Sequence, residues 1–254
     1  MLKEKIITSN CGLPALGLAL GLGMIGSAYI IGNTVKDIQL SHQNIEVKGY
    51  AERDVVSDMA IWNFKISVRE KTLEEAYKNL KVAEQKLDQY LKNIQISPQQ
   101  VNRFPTQTSE MKKIIEGPNG SIIQSNEVEY YDVRREFSIQ SKDVYKIKEA
   151  AEKASILPEQ GVYLDTLDIK YFATDISNIK TELLGEATKN AVIRAQQLAQ
   201  NSGSTVGVVR SMRQGIFQIT EEFSTDVSDY GVSDTSSIKK KAKAVAALTF
   251  SIGK

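Results

Sequence analysis

The side chains that most often carry catalysis are scarce in this chain. It has one histidine, His42, and one cysteine, Cys11, and both precede the part that we expect to fold. A Ser-His-Asp or Cys-His site needs its nucleophile and base inside the folded body, and a structural zinc site needs Cys or His ligands. The sequence therefore predicts no catalytic residues, no metal site and no cofactor, and we expect that the protein is not an enzyme.

An acidic stretch near the C-terminus offers oxygen ligands, which calcium prefers. It contains five carboxylates: Glu221, Glu222, Asp226, Asp229 and Asp234. Their spacing does not match the D-x-[DN]-x-[DN]-G loop of a calcium-binding EF-hand. The pattern favours a solvated loop tip, because connecting segments run over the protein surface.

Glycines at Gly21, Gly23 and Gly26 form a G-x-G-x-x-G pattern, which can mark a dinucleotide site. Such a site needs a strand before the glycines and a helix that begins at them. Here the glycines lie inside an uncharged apolar run, and about 20 apolar residues are enough to cross a bilayer. We therefore predict a transmembrane signal-anchor over residues 11–32. Within it, Gly17 and Gly21 form the G-x-x-x-G pattern that lets membrane helices approach closely.

Charge indicates the orientation of this predicted helix. Lys3 and Lys5 precede it, and positive residues favour the cytoplasmic side of a membrane. We therefore expect a short cytoplasmic N-terminus over residues 1–10, a polar spacer over 33–44, and a single-pass protein of the inner membrane. Its C-terminal domain would lie in the periplasm or outside the cell. Two alternatives stay open, namely a signal peptide cleaved near Gly26-Ser27-Ala28 and a glycine-rich helix without a partner.

The composition after the spacer is that of an ordinary folded protein. The chain has 254 residues, 25% of them charged, and a formal net charge of +1. About 210 residues follow the spacer, which is enough for one good core or two small ones. The balanced charge predicts no binding of nucleic acid. We interpret the densest basic run, Lys239-Lys240-Lys241, as the solvated beginning of a strand.

Hydrophobic patterns predict an α+β fold with an internal repeat. Each half, over about 60–140 and 162–253, shows a strand, a long helix, a strand, a polar excursion and a strand. The polar excursions lie at 110–120 and 221–237, and a short helix at 143–155 joins the halves. We predict two βαββ units that form one body, with helices that cover one sheet face.

Capping signals mark the predicted helices. Thr72 and Glu75 have the spacing of a capping box at the start of the first long helix. Asp143 can cap the short helix. Alanines recur every fourth residue along the second long helix, which we place over about 177–201, and the following Gly203 is a C-terminal stop.

Two segments carry a resemblance to a known family. The first reads V-K-G-Y-A-E-R-D-V from Val47 and continues to Trp62, and the second has an A-x-x-x-A-x-x-R-A-x-x-L-A helix followed by G-x-x-x-G-x-V. In this order they resemble the SIMPL domain, formerly a domain of unknown function, over residues 45–254. The residues that carry the resemblance are Gly49, Glu52, Arg53, Asp54, Asp58, Trp62, Ala187, Ala191, Arg194, Ala195, Ala199, Gly203 and Gly207.

The resemblance implies a βαββ-type fold, an envelope location and self-assembly into ring- or cage-like homo-oligomers. It implies no agreed enzymatic activity and no catalytic residues. We therefore expect a membrane-anchored, non-enzymatic envelope protein whose partners are copies of itself and the membrane. Its role would be to support envelope integrity or tolerance of oxidative stress. The alternative is a periplasmic module that binds a small ligand, lipid or peptide.

Overall fold

The computed structural model describes residues 12–41, 43–116, 121–224, 228 and 230–253 of the chain. An apolar helix precedes a mixed body of helices and two sheets, which confirms the predicted α+β class. The helices are α1 (Gly12–Ser41), α2 (Leu73–Asn93), α3 (Val144–Lys153), α4 (Ile156–Glu159) and α5 (Ile176–Asn201). The strands are β1 (Asn44–Val56), β2 (Met59–Glu70), β3 (Val101–Arg103), β4 (Gln107–Glu116), β5 (Ile122–Ser141), β6 (Leu164–Phe172), β7 (Thr205–Gln214), β8 (Gln218–Glu221) and β9 (Lys239–Gly253).

Helix α1 continues well beyond the predicted anchor. Its stretch Leu16–Val35 is long and apolar enough to cross a membrane, and none of it is buried. The helix ends only at Ser41, so most of the predicted spacer over 33–44 is helical. That stretch contains no glycine or proline, and therefore nothing in it breaks the helix. The predicted cytoplasmic N-terminus, residues 1–10, lies outside the described residues.

The chain divides into two compact units. Unit one comprises the chain up to Ala51, Leu184–Gly215 and the chain from Val245. Unit two comprises Glu52–Leu183 and Ile216–Ala244. Each unit therefore gathers segments that are far apart in sequence, whereas the predicted halves were continuous stretches.

Unit two contains a five-stranded sheet in the order β3-β5-β2-β6, with β4 also paired to β5. Apolar side chains alternate along β2, so Trp62, Phe64 and Ile66 all point into the core and are fully buried. The ring centroids of Trp62 and Phe64 lie 4.4 Å apart, and Phe64 stacks on Phe137 of β5 at 5.4 Å. Burial of each such side chain stabilises the fold by about 1.5–3 kcal/mol.

Helices α2 and α3 pack against this sheet, and their first turns are capped as predicted. The Thr72 hydroxyl oxygen accepts the N–H of Glu75 at 3.3 Å and donates to the Glu75 carboxylate at 2.8 Å. Asp143 accepts the N–H of Lys146 at 3.0 Å. These bonds satisfy N–H groups that have no partner inside the helix. Helix α5 ends at Asn201, and the following Gly203 has a φ of +71°. A residue with a side chain would adopt this backbone conformation only with strain.

The predicted repeat is present in the order of the elements but not in the strand pairing. The first strand of the second half, β6, pairs with β2 of the first half, from Met59↔Phe172 to Ile66↔Leu164. The other sheet has the order β1-β9-β7, with β8 also paired to β9, so β1 completes it instead. Alternation along a strand predicts which face is buried, but it does not identify the strand that pairs with each edge.

The two predicted polar excursions differ from each other in structure. The first, over 110–120, is largely strand, because β4 runs to Glu116 and pairs with β5. Its predicted turn at 117–120 lies outside the described residues. The second, over 221–237, has no long strand where it is described. The two lysines of K-K-I-I give the first excursion its polar pattern, but the two isoleucines favour a strand.

Candidate interaction surface

The glycine of the first motif and the alanines of the second motif meet in unit one. A Cβ on Gly49 would lie 2.7 Å from the Ala191 Cβ, and closer still to the Ala187 carbonyl oxygen and the Ala191 nitrogen. The next residue, Tyr50, donates its N–H to the Asn190 side chain at 3.3 Å. Only glycine leaves room for β1 to approach α5 this closely.

The remaining residues of the second motif shape the same unit. Ala195 and Ala199 are buried on α5, as are Ala187 and Ala191. The Arg194 guanidinium lies 5.7 Å from the Tyr50 ring centroid, within reach of a cation–π contact. Gly207 lies on β7, where an added Cβ would meet the Ser251 side chain. These placements give the second motif a packing role.

The charged residues of the first motif form ion pairs at the surface of unit two. Arg53 lies 2.5 Å from Glu182. Glu52 and Asp54 lie 3.8 and 3.4 Å from the ammonium of Lys241. All of these carboxylates are substantially exposed, so each pair stabilises the fold by no more than about 1 kcal/mol.

Asp58 and Trp62, the last residues of the first motif, hold the beginning of β2. Asp58 accepts the N–H of Thr174 at 2.8 Å and its hydroxyl at 2.5 Å. The hydroxyl bond is the main cause that holds the pKa of Asp58 below its usual value. Trp62 is fully buried, and its Nε1 has no acceptor in the described structure.

A two-stranded ribbon extends beyond the five-stranded sheet. β2 pairs with β5 only from Tyr131 onward, whereas β4 follows β5 back to Ile122. Residues 122–130 of β5 therefore pair with β4 alone. We call residues 110–116 and 122–130 the hairpin arm.

The end of the hairpin arm is apolar on both faces. Ile115 and Ile123 pair across the strands, so they share one face, and they are 44% and 42% exposed. Ile114 and Ile122 lie on the opposite face and are 67% and 81% exposed. We call these four isoleucines the apolar band. A two-stranded ribbon is marginal in water by itself, and a strand that is apolar on both faces is typical of burial on both faces.

The motif residues, the cores and the hairpin arm all belong to the stretch that one family model matches. The SIMPL model, described as a protein of unknown function (DUF541), matches residues 45–254. The chain belongs to the SIMPL family. No curated protein matches the chain.

One charged residue of this SIMPL domain differs from its prediction. The sequence predicts a solvated position for Lys240 at the beginning of a strand, but its side chain is only 2% exposed. Its ammonium lies 3.2 Å from the Asp234 carboxylate and donates to the Asp234 carbonyl oxygen at 2.7 Å. Lys240 lies on the same face of β9 as the buried residues Ala242 and Leu248. The two-residue period of the strand was therefore the signal that could have predicted its burial.

The sequence places Asp234 in a solvated acidic loop tip, but in the structure its side chain is only 9% exposed. It accepts hydrogen bonds from the Ser236 N–H at 2.8 Å, from the Ser236 hydroxyl at 2.7 Å, and from the Ser237 hydroxyl. Burial by itself raises the pKa of Asp234, but these bonds and Lys240 outweigh it and lower the pKa. Burial lowers the pKa of Lys240, and Asp234 opposes this shift.

The other acidic candidates do not join Asp234 in a metal site. Among the residues that the structure describes, no three His, Cys, Asp or Glu side chains lie close enough to hold an ion. Asp226 and Asp229, like Cys11 and His42, lie outside the described residues.

The SIMPL domain also has a surface groove of about 480 Å³ in unit two, at the end of α2. Its floor is apolar and includes Leu91, Ile96 and Val101. The Arg103–Asp88 ion pair lies at its edge. This size falls within the usual range for small-molecule sites, about 300–1,000 Å³.

Gly17 and Gly21, the predicted packing residues of the anchor, lie in the apolar stretch of α1. A Cβ on either would meet nothing within 4 Å. Within the described part of the chain, no other element packs against these two glycines. Their pairing with a helix of another copy stays a prediction.

Proposed function

We propose that this SIMPL protein is a non-enzymatic, membrane-anchored envelope protein that assembles with copies of itself through the hairpin arm. Its role would be to support the integrity of the envelope or its tolerance of stress. The absence of histidine and cysteine after His42 supports a role without the usual nucleophile and base pairs.

The observation that carries this proposal is the two-sided exposure of the apolar band. A patch on one face needs one covering surface, whereas Ile114 and Ile115 on opposite faces need cover on both sides. The band contributes four aliphatic side chains, each worth about 1.5–3 kcal/mol when fully buried. Because they are already partly covered, burial of all four would yield roughly half of that sum, which is comparable with the lower estimates of the cost of association.

The charges around the band favour a protein partner over a lipid bilayer. Glu116 pairs with Ile122 at the end of the band, and Lys112 and Lys113 precede the band on β4. An arm that entered a bilayer far enough to bury all four isoleucines would carry the Glu116 carboxylate in with Ile122. A charge deep in a membrane costs about 2.5–3.5 kcal/mol even on the mildest scales.

Helix α1 supports the anchoring part of the proposal. Its stretch Leu16–Val35 has the length and composition of a membrane span, and Lys3 and Lys5 favour a cytoplasmic N-terminus. The domain would then lie in the periplasm or outside. Anchors that confine the copies to one plane raise their effective concentration and so strengthen a weak contact.

The test is the mass of the full chain in mild detergent, measured by light scattering, with N-terminal sequencing of the same sample. We expect an intact N-terminus and a mass of several copies. Ile114→Ser with Ile122→Ser should lower that mass toward one copy. The matched control is Ile193→Ser with Leu198→Ser on α5, which removes two aliphatic side chains that are each 53% exposed. This control should keep the wild-type mass.

Three outcomes would contradict the proposal or a part of it. A wild-type monomer at tens of micromolar would exclude self-assembly under these conditions. An arm variant that keeps its full mass would show that another surface carries the assembly. A chain that begins near Tyr29 would mean a cleaved signal peptide, and the anchoring part would fail while the arm could still be tested.

A second candidate function rests on the groove at the end of α2. We infer that an apolar small molecule would bind there, because the floor formed by Leu91, Ile96 and Val101 is apolar. Native mass spectrometry of the purified chain would show added mass, and Val101→Trp, which fills the groove, would abolish it. A clean apo mass for the wild type would exclude this function for ligands that survive purification.

A further inference from the structure

β7 in unit one also has an open edge. β7 pairs with β9 alone in the described sheet, and its other edge has no strand beside it. It has ten residues, the same number as β4. Val208, Val209 and Met212 are exposed on it, as Met111, Ile114 and Ile115 are on β4. Each molecule therefore presents two edge strands of equal length with exposed aliphatic side chains.

β7 and the hairpin arm have net charges of opposite sign. β7 contains Arg210 and Arg213 and no acid, which gives it a net charge of +2. The hairpin arm contains Lys112 and Lys113 against four glutamates, for a net charge of −2. Glu110 and Glu116 lie on β4, where the two lysines balance them, and Glu127 and Glu129 on β5 give the arm its negative charge.

We propose that the outer edge of β4 in one copy pairs with the β7 edge of the next copy, an inference that rests on the self-assembly proposed above. Backbone N–H and C=O groups along both edges would gain partners, and the exposed aliphatic side chains of the two strands would cover each other. The opposite net charges of the arm and β7 would draw the two surfaces together and favour this pairing over contact between two arms.

This pairing makes the interface head-to-tail. Each copy gives its arm to one neighbour and receives the arm of another on β7, so copies add to rings or filaments rather than stopping at a dimer. The alternative, in which two arms meet each other, would bring together two surfaces of charge −2. Like charges that face each other oppose association.

The irregularity of β7 fits a selective edge. Its register with β9 shifts between Val206 and Val209 and again between Val209 and Ser211. Such bulges, together with positive side chains, deter indiscriminate pairing at a sheet edge. The hairpin arm, whose two strands together carry a net negative charge, is a partner that such an edge still admits.

The test uses charge reversal in the full chain, with masses measured in mild detergent. Glu110→Lys with Glu129→Lys changes the arm from −2 to +2, and Arg210→Glu with Arg213→Glu changes β7 from +2 to −2. Each double variant alone should weaken assembly by about tenfold or more in apparent dissociation constant. The same four changes combined in one chain should restore it. Lys78→Glu with Lys81→Glu on α2 is the control and should leave assembly unchanged.

A mixture gives a second readout. The arm-reversed and β7-reversed chains, each weak alone, should form mixed assemblies because each arm then meets an opposite β7. Contact between two arms predicts instead that β7 reversal has no effect and that the four-change chain behaves as the arm-reversed one. That result would overturn the head-to-tail pairing and keep self-assembly. A monomeric wild type would instead reject the proposed function itself.

Discussion

Lys240 and Asp234 form a buried ion pair in which the ammonium also holds the Asp234 backbone, at 2.7 Å from its carbonyl oxygen. Asp234 is part of the connection between β8 and β9. In the same stretch, the Thr235 carbonyl oxygen accepts the N–H of Tyr171 at 2.8 Å, and the Ile238 carbonyl oxygen accepts that of Ser57 at 2.8 Å. The pair therefore fixes the part of the connection that contacts the rest of unit two.

Replacing Lys240 alone should strongly destabilise the protein. Lys240→Met leaves the Asp234 charge buried without its cation, and such a loss costs about 3–5 kcal/mol. Lys240→Met with Asp234→Asn removes both charges and should recover a large part of the loss. Urea unfolding of the full chain in detergent measures both. The control Lys241→Met, next along the strand and more exposed, should cost about 1 kcal/mol or less.

Stability should fall in acid because of Asp234. Its pKa is lower in the folded protein than in the unfolded chain, so below the unfolded value of about 3.9 the unfolded chain binds more protons. The stabilisation is complete above that value and is lost as the pH falls toward the folded value. The free energy of unfolding should therefore decrease as the pH falls from about 5 to below 3, and Asp234→Asn should make the decrease smaller. Asp58 and Asp168, whose pKa values are also lowered, should keep some of the slope.

The spacing of apolar residues, every second residue in strands and every third or fourth in helices, predicted most elements of this fold. Burial on one face produces this spacing in the sequence. The alternation that buries Trp62 and Phe64 is visible in the sequence, and so is the cap at Thr72. The same rule was available for Lys240, which lies in phase with Ala242, but three consecutive lysines favoured a solvated interpretation. The spacing of apolar residues did not indicate which strand pairs with β6, because strand pairing depends on contacts between distant segments.

The close approach of β1 to α5 should make Gly49 intolerant of any side chain. Gly49→Ala places a methyl group against the backbone of Ala187 and Ala191, where neither atom can rotate away. Overpacking of this kind costs about 1–3 kcal/mol, and backbone obstruction places this site at the upper end or beyond. Urea unfolding measures the change.

Gly185 provides the control for that substitution. It lies within α5, two residues before Ala187, and an added Cβ would meet nothing within 4 Å. Gly185→Ala should therefore stabilise the protein by about 0.5–1 kcal/mol, because alanine favours a helix interior over glycine. If both substitutions shifted stability in the same direction, the tight contact at Gly49 would not explain the loss.

Salt should weaken the assembly if the arm pairs with β7. Charges of −2 and +2 attract, and raising the ionic strength from about 0.05 M to about 0.5 M shortens the screening length to a few ångströms. The apparent dissociation constant of the full chain in detergent should therefore rise with salt. The apolar band is not screened, so assembly should weaken without disappearing. Contact between two negative arms predicts the opposite sign, because screening would then relieve repulsion between Glu110, Glu116 and their copies. The sign of the salt dependence thus separates the two arrangements without any substitution.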